Sequence, residues 1–282
     1  MSRIEEALEK AAKMRTVQNT AVPTAHSTSA QHTEVTKTEV YHPPPVPMEG
    51  IRTTNQLLVA VSAPDTPVAE EYRKLKSLLV RLTTGESFRN MLMVTSSVSG
   101  EGKSITSLNL ALTLAQEYDH TVLLVDADLR KPSINNYLGI GQRIGLSECL
   151  LDGVDIKDAI IKTGIGKLSL LPAGRSIRNP AELFSSQKLK EFFLGIKSRY
   201  PDRYIIIDTP PVLPFADTRS LSTIVDGAVL VVMEGMVPLR HINETLDCLK
   251  GTSILGIVYN DATTESHSGY NQYYRNGYAE AV

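Results

Sequence analysis

Runs of almost uninterrupted apolar residues recur along the chain, at residues 91–94, 121–126, 168–171, 204–208, 227–233 and 254–260. They lack the apolar–polar alternation of a strand with one wet face. They therefore predict strands buried on both faces, as in a parallel sheet covered by helices. Between them the apolar positions fall at helical spacing. Leu108, Ala111, Leu112 and Ala115 form one stripe. Tyr72, Leu75, Leu79 and Leu82 form another, which begins at the helix-start pair Thr66-Pro67 and runs to about Thr83. Further helices are predicted over 180–185, 187–199 and 239–250, with one or two short ones in 145–162 around Gly153. Strands alternating with helices predict an α/β fold: a doubly wound, mostly parallel sheet with helices on both faces.

The pattern stops at both ends, which divides the chain into four parts. Residues 1–15 read as an amphipathic helix, with Ser2 and Glu5 as a capping box and Ile4, Ala7, Leu8 and Ala11 on one face. So short a helix needs a partner surface. Residues 16–56 are polar and end in Pro43-Pro44-Pro45, the composition of a disordered linker with a stiff polyproline end. His26, His32 and His42 there have no metal-ligand spacing. Residues 57–260 carry the periodic pattern and form the domain. Residues 261–282 are a polar, flexible tail holding Tyr270, Tyr273, Tyr274 and Tyr278.

Composition mainly excludes. A formal charge of −2 gives no pull towards nucleic acid, so no nucleic-acid partner is expected. No apolar run approaches the ~20 residues that span a bilayer, and the charged N-terminus shows no signal peptide. Cys149 and Cys248 are far apart, match no metal spacing and read as reduced thiols of a cytosolic protein.

The chemistry concentrates where the first apolar run meets the first helix. Residues 97–104 read Ser97, Val98, Ser99, Gly100, Glu101, Gly102, Lys103, Ser104, followed by Ile105 in the helical pattern. This is the P-loop pattern G-x-x-x-x-G-K-[ST] with Ser97 in the first glycine position. Gly100 and Gly102 let backbone N–H groups turn inward onto phosphate oxygens, and the helix N-terminus adds its partial positive charge. Lys103, read as a loop charge rather than core, reaches the β- and γ-phosphates, and the Ser104 hydroxyl is a ligand for Mg²⁺. The fold is thus expected to be that of a P-loop NTPase, with ATP and Mg²⁺ as cofactors.

Ligands of such sheets lie beyond the carboxyl ends of the strands. That rule gathers three distant acids near the loop: Asp126 and Asp128 after one apolar run, and Asp208 after another. Phosphoryl transfer needs a phosphate cradle, a held Mg²⁺ and a positioned nucleophile. Asp208 has the place of a Walker-B acid. Of Asp126 and Asp128, one can organise the metal shell and the other accept the proton of an attacking hydroxyl; the residues alone leave open which. Arg130 is a contact to phosphate, a contact to a neighbouring subunit, or a surface arginine.

The sequences SSVSGEGKS, VLLVDADLRKP and YIIIDTPPV resemble the three nucleotide motifs of the bacterial tyrosine kinases (BY-kinases) of capsule and exopolysaccharide export, over roughly residues 66–282. The related partitioning ATPases carry a second lysine early in the loop, where this chain has Val98. The resemblance implies an ATP-dependent protein tyrosine autokinase that regulates polysaccharide chain length and export. Its catalytic residues would be Lys103, Asp126, Asp128, Asp208 and Arg130, with Asp126 the base. Ser104, Asp128 and Asp208 would hold the metal, and Asn260, at the end of the last strand, is a contact to the adenine edge or, equally, a strand-end turn asparagine. Tyr270, Tyr273, Tyr274 and Tyr278 would be the phosphoacceptors. Also implied are a ring of copies joined through Glu70, Arg73 and Lys76, a membrane adaptor of the polysaccharide co-polymerase type, and a protein tyrosine phosphatase. The protein would be cytoplasmic and peripheral at the inner face of the plasma membrane. Lys76 stands where the family motif has arginine, and lacks arginine's bidentate fork. The N-terminal segment resembles the free-standing, exosortase-associated members. Two other readings fit the motifs: a partitioning-type ATPase switch, and a non-catalytic regulator that binds ATP as a conformational ligand.

Overall fold

The computed structural model describes residues 51–263 apart from Arg52, Glu86 and Tyr118. The expected N-terminal helix, nearly all of the linker and the four tail tyrosines lie outside the described residues.

A short helix α1 (Val59–Ser62) and a long helix α2 (Pro67–Thr83) precede β1 (Met91–Ser96) and α3 (Lys103–Leu114). Then come β2 (Thr121–Asp126), α4 (Ile134–Leu138), α5 (Leu146–Leu151), α6 (Ile156–Ala159), β3 (Ile161–Lys162) and β4 (Leu168–Leu171). The rest is α7 (Ala181–Phe184), α8 (Gln187–Arg199), β5 (Arg203–Asp208), α9 (Asp217–Ser222), β6 (Gly227–Met233), α10 (Leu239–Cys248) and β7 (Ile254–Asn260). The sheet has seven strands in the order β3-β4-β2-β5-β1-β6-β7. Neighbours are parallel except β3, which runs antiparallel to β4.

The apolar runs are continuous because each strand feeds two cores. Leu92 and Val94, Val122 and Leu124, Tyr204 and Ile206, and Val229 and Val231 face one side, against α1, α2 and α3. Met91 and Met93, Leu123 and Val125, Ile205 and Ile207, and Ala228 face the other, with Leu146, Phe184, Leu189 and Phe193. Successive side chains alternate between faces, so a strand covered on both sides has no polar position to spare.

Several boundaries differ from the periodic reading. The helical stretch expected to reach residue 162 stops at Ala159, and Ile161 and Lys162 pair with Leu170 and Ser169. Antiparallel pairing with the strand that follows in sequence outweighs local helical propensity there. Helix α10 ends at Cys248 rather than 250, and the turn after it is completed by Gly251 at φ +96°. Residues 51–55, polar enough to read as linker, attach to the domain: the Ile51 N–H donates to Thr163 O at 2.7 Å, and Asn55 donates to Tyr137 O. Helix α3 has more than a stripe, being buried from Ser104 to Leu114 except Ile105. It lies between the sheet on one side and α1 and α2 on the other.

The N-terminus of α2 follows its sequence signals. Thr66 Oγ1 accepts from Ala69 N at 3.3 Å and Pro67 occupies the first turn. On this helix Glu70 pairs with Arg73 at 2.5 Å, and Lys76 reaches Glu117 at 2.5 Å, so each charge has a partner within the chain.

Candidate active site

The loop of residues 97–102 leaves β1 and enters α3 through two glycines in the left-handed region, Gly100 at φ +98° and Gly102 at φ +90°. A side chain at either position would be strained by its backbone alone. At Gly102 it would also overlap the Asn260 side-chain amide, and at Gly100 a Cβ would lie 2.9 Å from Met236 Cε. The turn is closed from within: Val98 N donates to Glu101 Oε2 at 2.8 Å, and Ser96 Oγ donates to Val98 O at 2.7 Å. Glu101 is wholly buried, and its second carboxylate oxygen has no partner. Ser97 is buried too, and accepts from Thr245 Oγ1 of α10 at 2.9 Å. Its hydroxyl gives the loop an anchor that a glycine lacks. Ser99 and Gly100 are exposed, and Ile105 turns into the core.

The acids converge below this loop because the register brings them together. Asp126 and Asp208 sit opposite each other on adjacent parallel strands, and Val94 of β1 also pairs with Asp208. Ser104 Oγ donates to Asp208 Oδ2 at 2.6 Å, and Ser107 Oγ, one helical turn on, donates to Asp208 Oδ1 at 3.1 Å. Lys103 Nζ donates to Asp128 Oδ2 at 3.0 Å and lies 3.8 Å from Asp208. Asp126 Oδ1 accepts from Asp128 N, and its Oδ2 accepts from Ser133 N and Ile134 N, which fixes the carboxylate.

Lys103 corrects an expectation. It is not a free loop charge but a buried ammonium, 9% exposed, among acids that are 0% to 5% exposed. Burial by itself would lower its pKa; Asp208 and Asp128 outweigh burial and hold it above the ordinary lysine value. Burial pushes the Asp208 carboxyl up, against Lys103 and the Ser104 hydrogen bond. Burial and then the Asp208 charge push Asp126 up to about 8. When ionised, three carboxyls around one ammonium leave negative charge that a proton or a cation must neutralise.

That surplus, with a hydroxyl beside it, is the donor chemistry of a hard divalent cation. Among the described residues no group of three or more His, Cys, Asp and Glu side chains is disposed to hold a metal by itself. Mg²⁺ in phosphoryl transfer needs no such cage, since hydroxyl, phosphate and water complete its shell. The residues present fit it.

Two expected site residues have their partners outside the cluster of Lys103 and the acids. Arg130 is held by other groups: Nε and Nη2 donate to Asp217 at 2.7 and 3.2 Å, Nη1 donates to Arg178 O, and the guanidinium lies 4.4 Å from the Phe215 ring centroid. Asn260 Nδ2 donates to Glu101 O at 3.0 Å, beside the loop. Conversely, Ser107, Thr245 and Asp217 belong to the surroundings of the site and were not among the expected residues. Ser107 had a legible signal, three residues after Ser104 on the same helix face. Thr245 and Asp217 had none, because only the packing of α10 and α9 brings them near.

Comparison with known proteins agrees with this architecture. Residues 90–247, more than half of the chain, match the family described as AAA domain. Tyrosine-protein kinase YwqD of Bacillus subtilis (strain 168) is 32% identical over 77% of this chain and 90% of its own length. Tyrosine-protein kinase CpsD of Streptococcus agalactiae is 34% identical over 65% of this chain and 80% of its own. Among solved structures, the kinase domain of the Escherichia coli tyrosine kinase ETK superposes with a TM-score of 0.67 at 28% identity, covering 76% of this chain and 84% of that one. A glycine-turned phosphate loop, a lysine and a serine hydroxyl seated on strand-end acids, and relatedness over nearly the whole length of YwqD lead to one conclusion: this chain belongs to the bacterial tyrosine-protein kinases, built on an AAA-type nucleotide-binding domain.

Proposed function

We propose that this chain transfers the γ-phosphoryl group of ATP to tyrosine, its own Tyr270, Tyr273, Tyr274 and Tyr278 above all, and so regulates polysaccharide chain length and export. The observation that carries the reading is the cluster of Lys103, Ser104, Asp128 and Asp208 at the carboxyl ends of β1, β2 and β5, directly under the glycine turns. Mg²⁺, when bound, neutralises charge on the phosphates. Ser104, Asp128 and Asp208 would hold it. Residues 97–104 bind the phosphates through backbone N–H groups, and Lys103 exchanges its acid partners for phosphate oxygens. Asp126, fixed by three backbone N–H groups beside Asp128, takes the tyrosine proton in its ionised form, which a cation bound at Asp128 and Asp208 would favour. Asp208 orients Ser104 and excludes water from beneath the loop.

The tail is acceptor in a ring of copies. Glu70, Arg73 and Lys76 on α2 supply the contact by trading their present partners for a neighbour's. A membrane adaptor of the polysaccharide co-polymerase type holds the ring at the inner face of the plasma membrane, and a tyrosine phosphatase resets it. Such an arrangement accords with a chain in which, among the described residues, no helix is long and apolar enough to cross a membrane. The four-part division into helix, linker, domain and tail belongs to the same proposal, with Ile51 and Asn55 counted with the domain rather than with the linker.

Mass spectrometry of the protein incubated with ATP and Mg²⁺ tests it. Phosphotyrosine at residues 270–278 is expected. Release of ADP without phosphotyrosine would instead indicate a partitioning-type switch, and neither product a regulator that only binds nucleotide. Phenylalanine at all four tail positions should remove most labelling and spare hydrolysis. Full labelling of that variant would move the acceptor to Tyr259 or Tyr72.

A further inference from the structure

The end of the last strand is bonded to the phosphate loop. Asn260, the final residue of β7, sends its side-chain amide across Gly102 to the Glu101 carbonyl at 3.0 Å. The approach is possible only because position 102 has no side chain: a Cβ there would overlap Asn260 Nδ2. Glu101 in turn holds the front of the loop through Val98 N at 2.8 Å, from a fully buried position. Its carbonyl and its carboxylate thus tie the middle of the loop to two other places, the end of β7 and the start of the loop.

We propose that Asn260 is a positioning residue that latches the phosphate loop in its binding shape, and that this, rather than contact with a base, is its role towards nucleotide. A loop whose two glycines sit in the left-handed region has many other conformations open to it, and a hydrogen bond at its centre removes most of them. The latch also links the loop to the root of the tail. Asn260 O accepts from Glu234 N at 3.0 Å, Glu234 accepts from Thr263 N, and Asp261 between them takes φ +53°. The residues from which the tyrosine segment departs are therefore bonded, through one side chain, to the loop that holds the phosphates.

This inference rests on residues 97–104 being the nucleotide loop, so its test has an arm that needs no nucleotide. The full-length wild type, Asn260→Ala and Asn260→Asp are titrated with ATP-Mg²⁺ and with GTP-Mg²⁺, and amide hydrogen exchange over residues 97–104 is measured without nucleotide. Losing one neutral hydrogen bond should weaken ATP about fivefold in Asn260→Ala. Asn260→Asp keeps the shape but places an acceptor against the Glu101 carbonyl, and should weaken ATP at least as much. GTP should weaken by the same factor as ATP, because a loop latch does not read the base. Loop exchange should quicken in both variants. A loss confined to ATP would overturn the proposal in favour of a contact to the adenine edge. Unchanged affinities with unchanged exchange would make the hydrogen bond a bystander. If the wild type binds neither nucleotide, the nucleotide reading fails, and the exchange arm still decides the latch.

Discussion

Lys103 is where charge and stability meet. Its ammonium is the counter-charge of buried Asp128 and Asp208, so Lys103→Met removes more than a phosphate contact. Loss of transition-state stabilisation should lower tyrosine phosphorylation on the order of 10³-fold. Leaving buried carboxylates uncompensated should also cost about 3 kcal/mol of stability in the nucleotide-free protein. Phosphotyrosine blotting and urea melts read the two effects separately, and near-normal phosphotyrosine would remove Lys103 from the machinery. Asp126 gives a pH prediction. Its folded pKa is raised to about 8 from an ordinary 3.8, so the folded state holds a proton that the unfolded state has released. The stability this contributes is fully present below pH ~4 and is lost as pH rises through about 8. The melting temperature of the nucleotide-free protein should therefore fall between about pH 4 and 8 and level off above it, and Asp126→Asn should flatten that fall. A wild-type melt that is level across the window would contradict the assignment. The same variant tests the base: transfer lost with tight ATP-Mg²⁺ binding retained is the expected pair of results.

At the scale of elements, the segment after β2 is held by α9. Arg130 forms a two-pronged pair with Asp217, which is wholly buried, while the Arg130 side chain is 19% exposed. Breaking a buried pair strands the other charge, so Arg130→Ala should destabilise the domain by about 3 kcal/mol. Because the clamp sits two residues beyond Asp128, the variant should also weaken nucleotide binding. A change below ~0.5 kcal/mol in denaturant melts, the range of ordinary surface substitutions, would release Arg130 for a contact outside the chain. Helix α3 is the other decisive element. It carries Lys103, Ser104 and Ser107 on its first turns and is enclosed by the sheet, α1 and α2, so it can move only if several packed surfaces move with it. The adaptable part of the site is the loop in front of it.

At the scale of the whole molecule, the proposed tail acceptors and ring contacts would together make a switch. Ten residues separate Asn260 from Tyr270, which reach at most ~35 Å when extended, enough for the chain's own site or a neighbour's. Each phosphate adds about −1.5 to −2 charge, so four add roughly −6 to −8 to one tail. Such a tail leaves an acid-rich site, and crowded like charge loosens a ring. The unphosphorylated protein with ATP-Mg²⁺ should associate and the fully phosphorylated protein dissociate. The difference should narrow at high salt, since exposed charges are screened beyond about 10 Å at 0.1 M. Light scattering on the two forms decides it: equal masses, or a heavier phosphorylated species, would exclude the switch. The proposed ring contact would have to displace the Glu70–Arg73 and Lys76–Glu117 pairs, whose side chains are half-buried.

The sequence by itself determined the sheet, its burial on both faces and the place of the site. Continuous apolar runs have only one stable use in a chain of alternating elements, and acids at their carboxyl ends must gather at one edge. Gly102, Lys103, Ser104, Asp126, Asp128 and Asp208 were legible for that reason, each being required by local geometry or by strand order. Tertiary structure alone decided what those residues touch. It made Lys103 a buried counter-ion, turned Arg130 onto Asp217, brought Thr245 to Ser97 and Ser107 to Asp208, and set Asn260 on the phosphate loop. It also turned the end of a helical stretch into β3 and attached Ile51 to the domain. Apart from β3, which pairs with the next strand in sequence, these outcomes depend on pairings between residues tens of positions apart. Periodicity records which face of an element is apolar; which neighbour that face or its polar ends will meet is settled only when the layers pack.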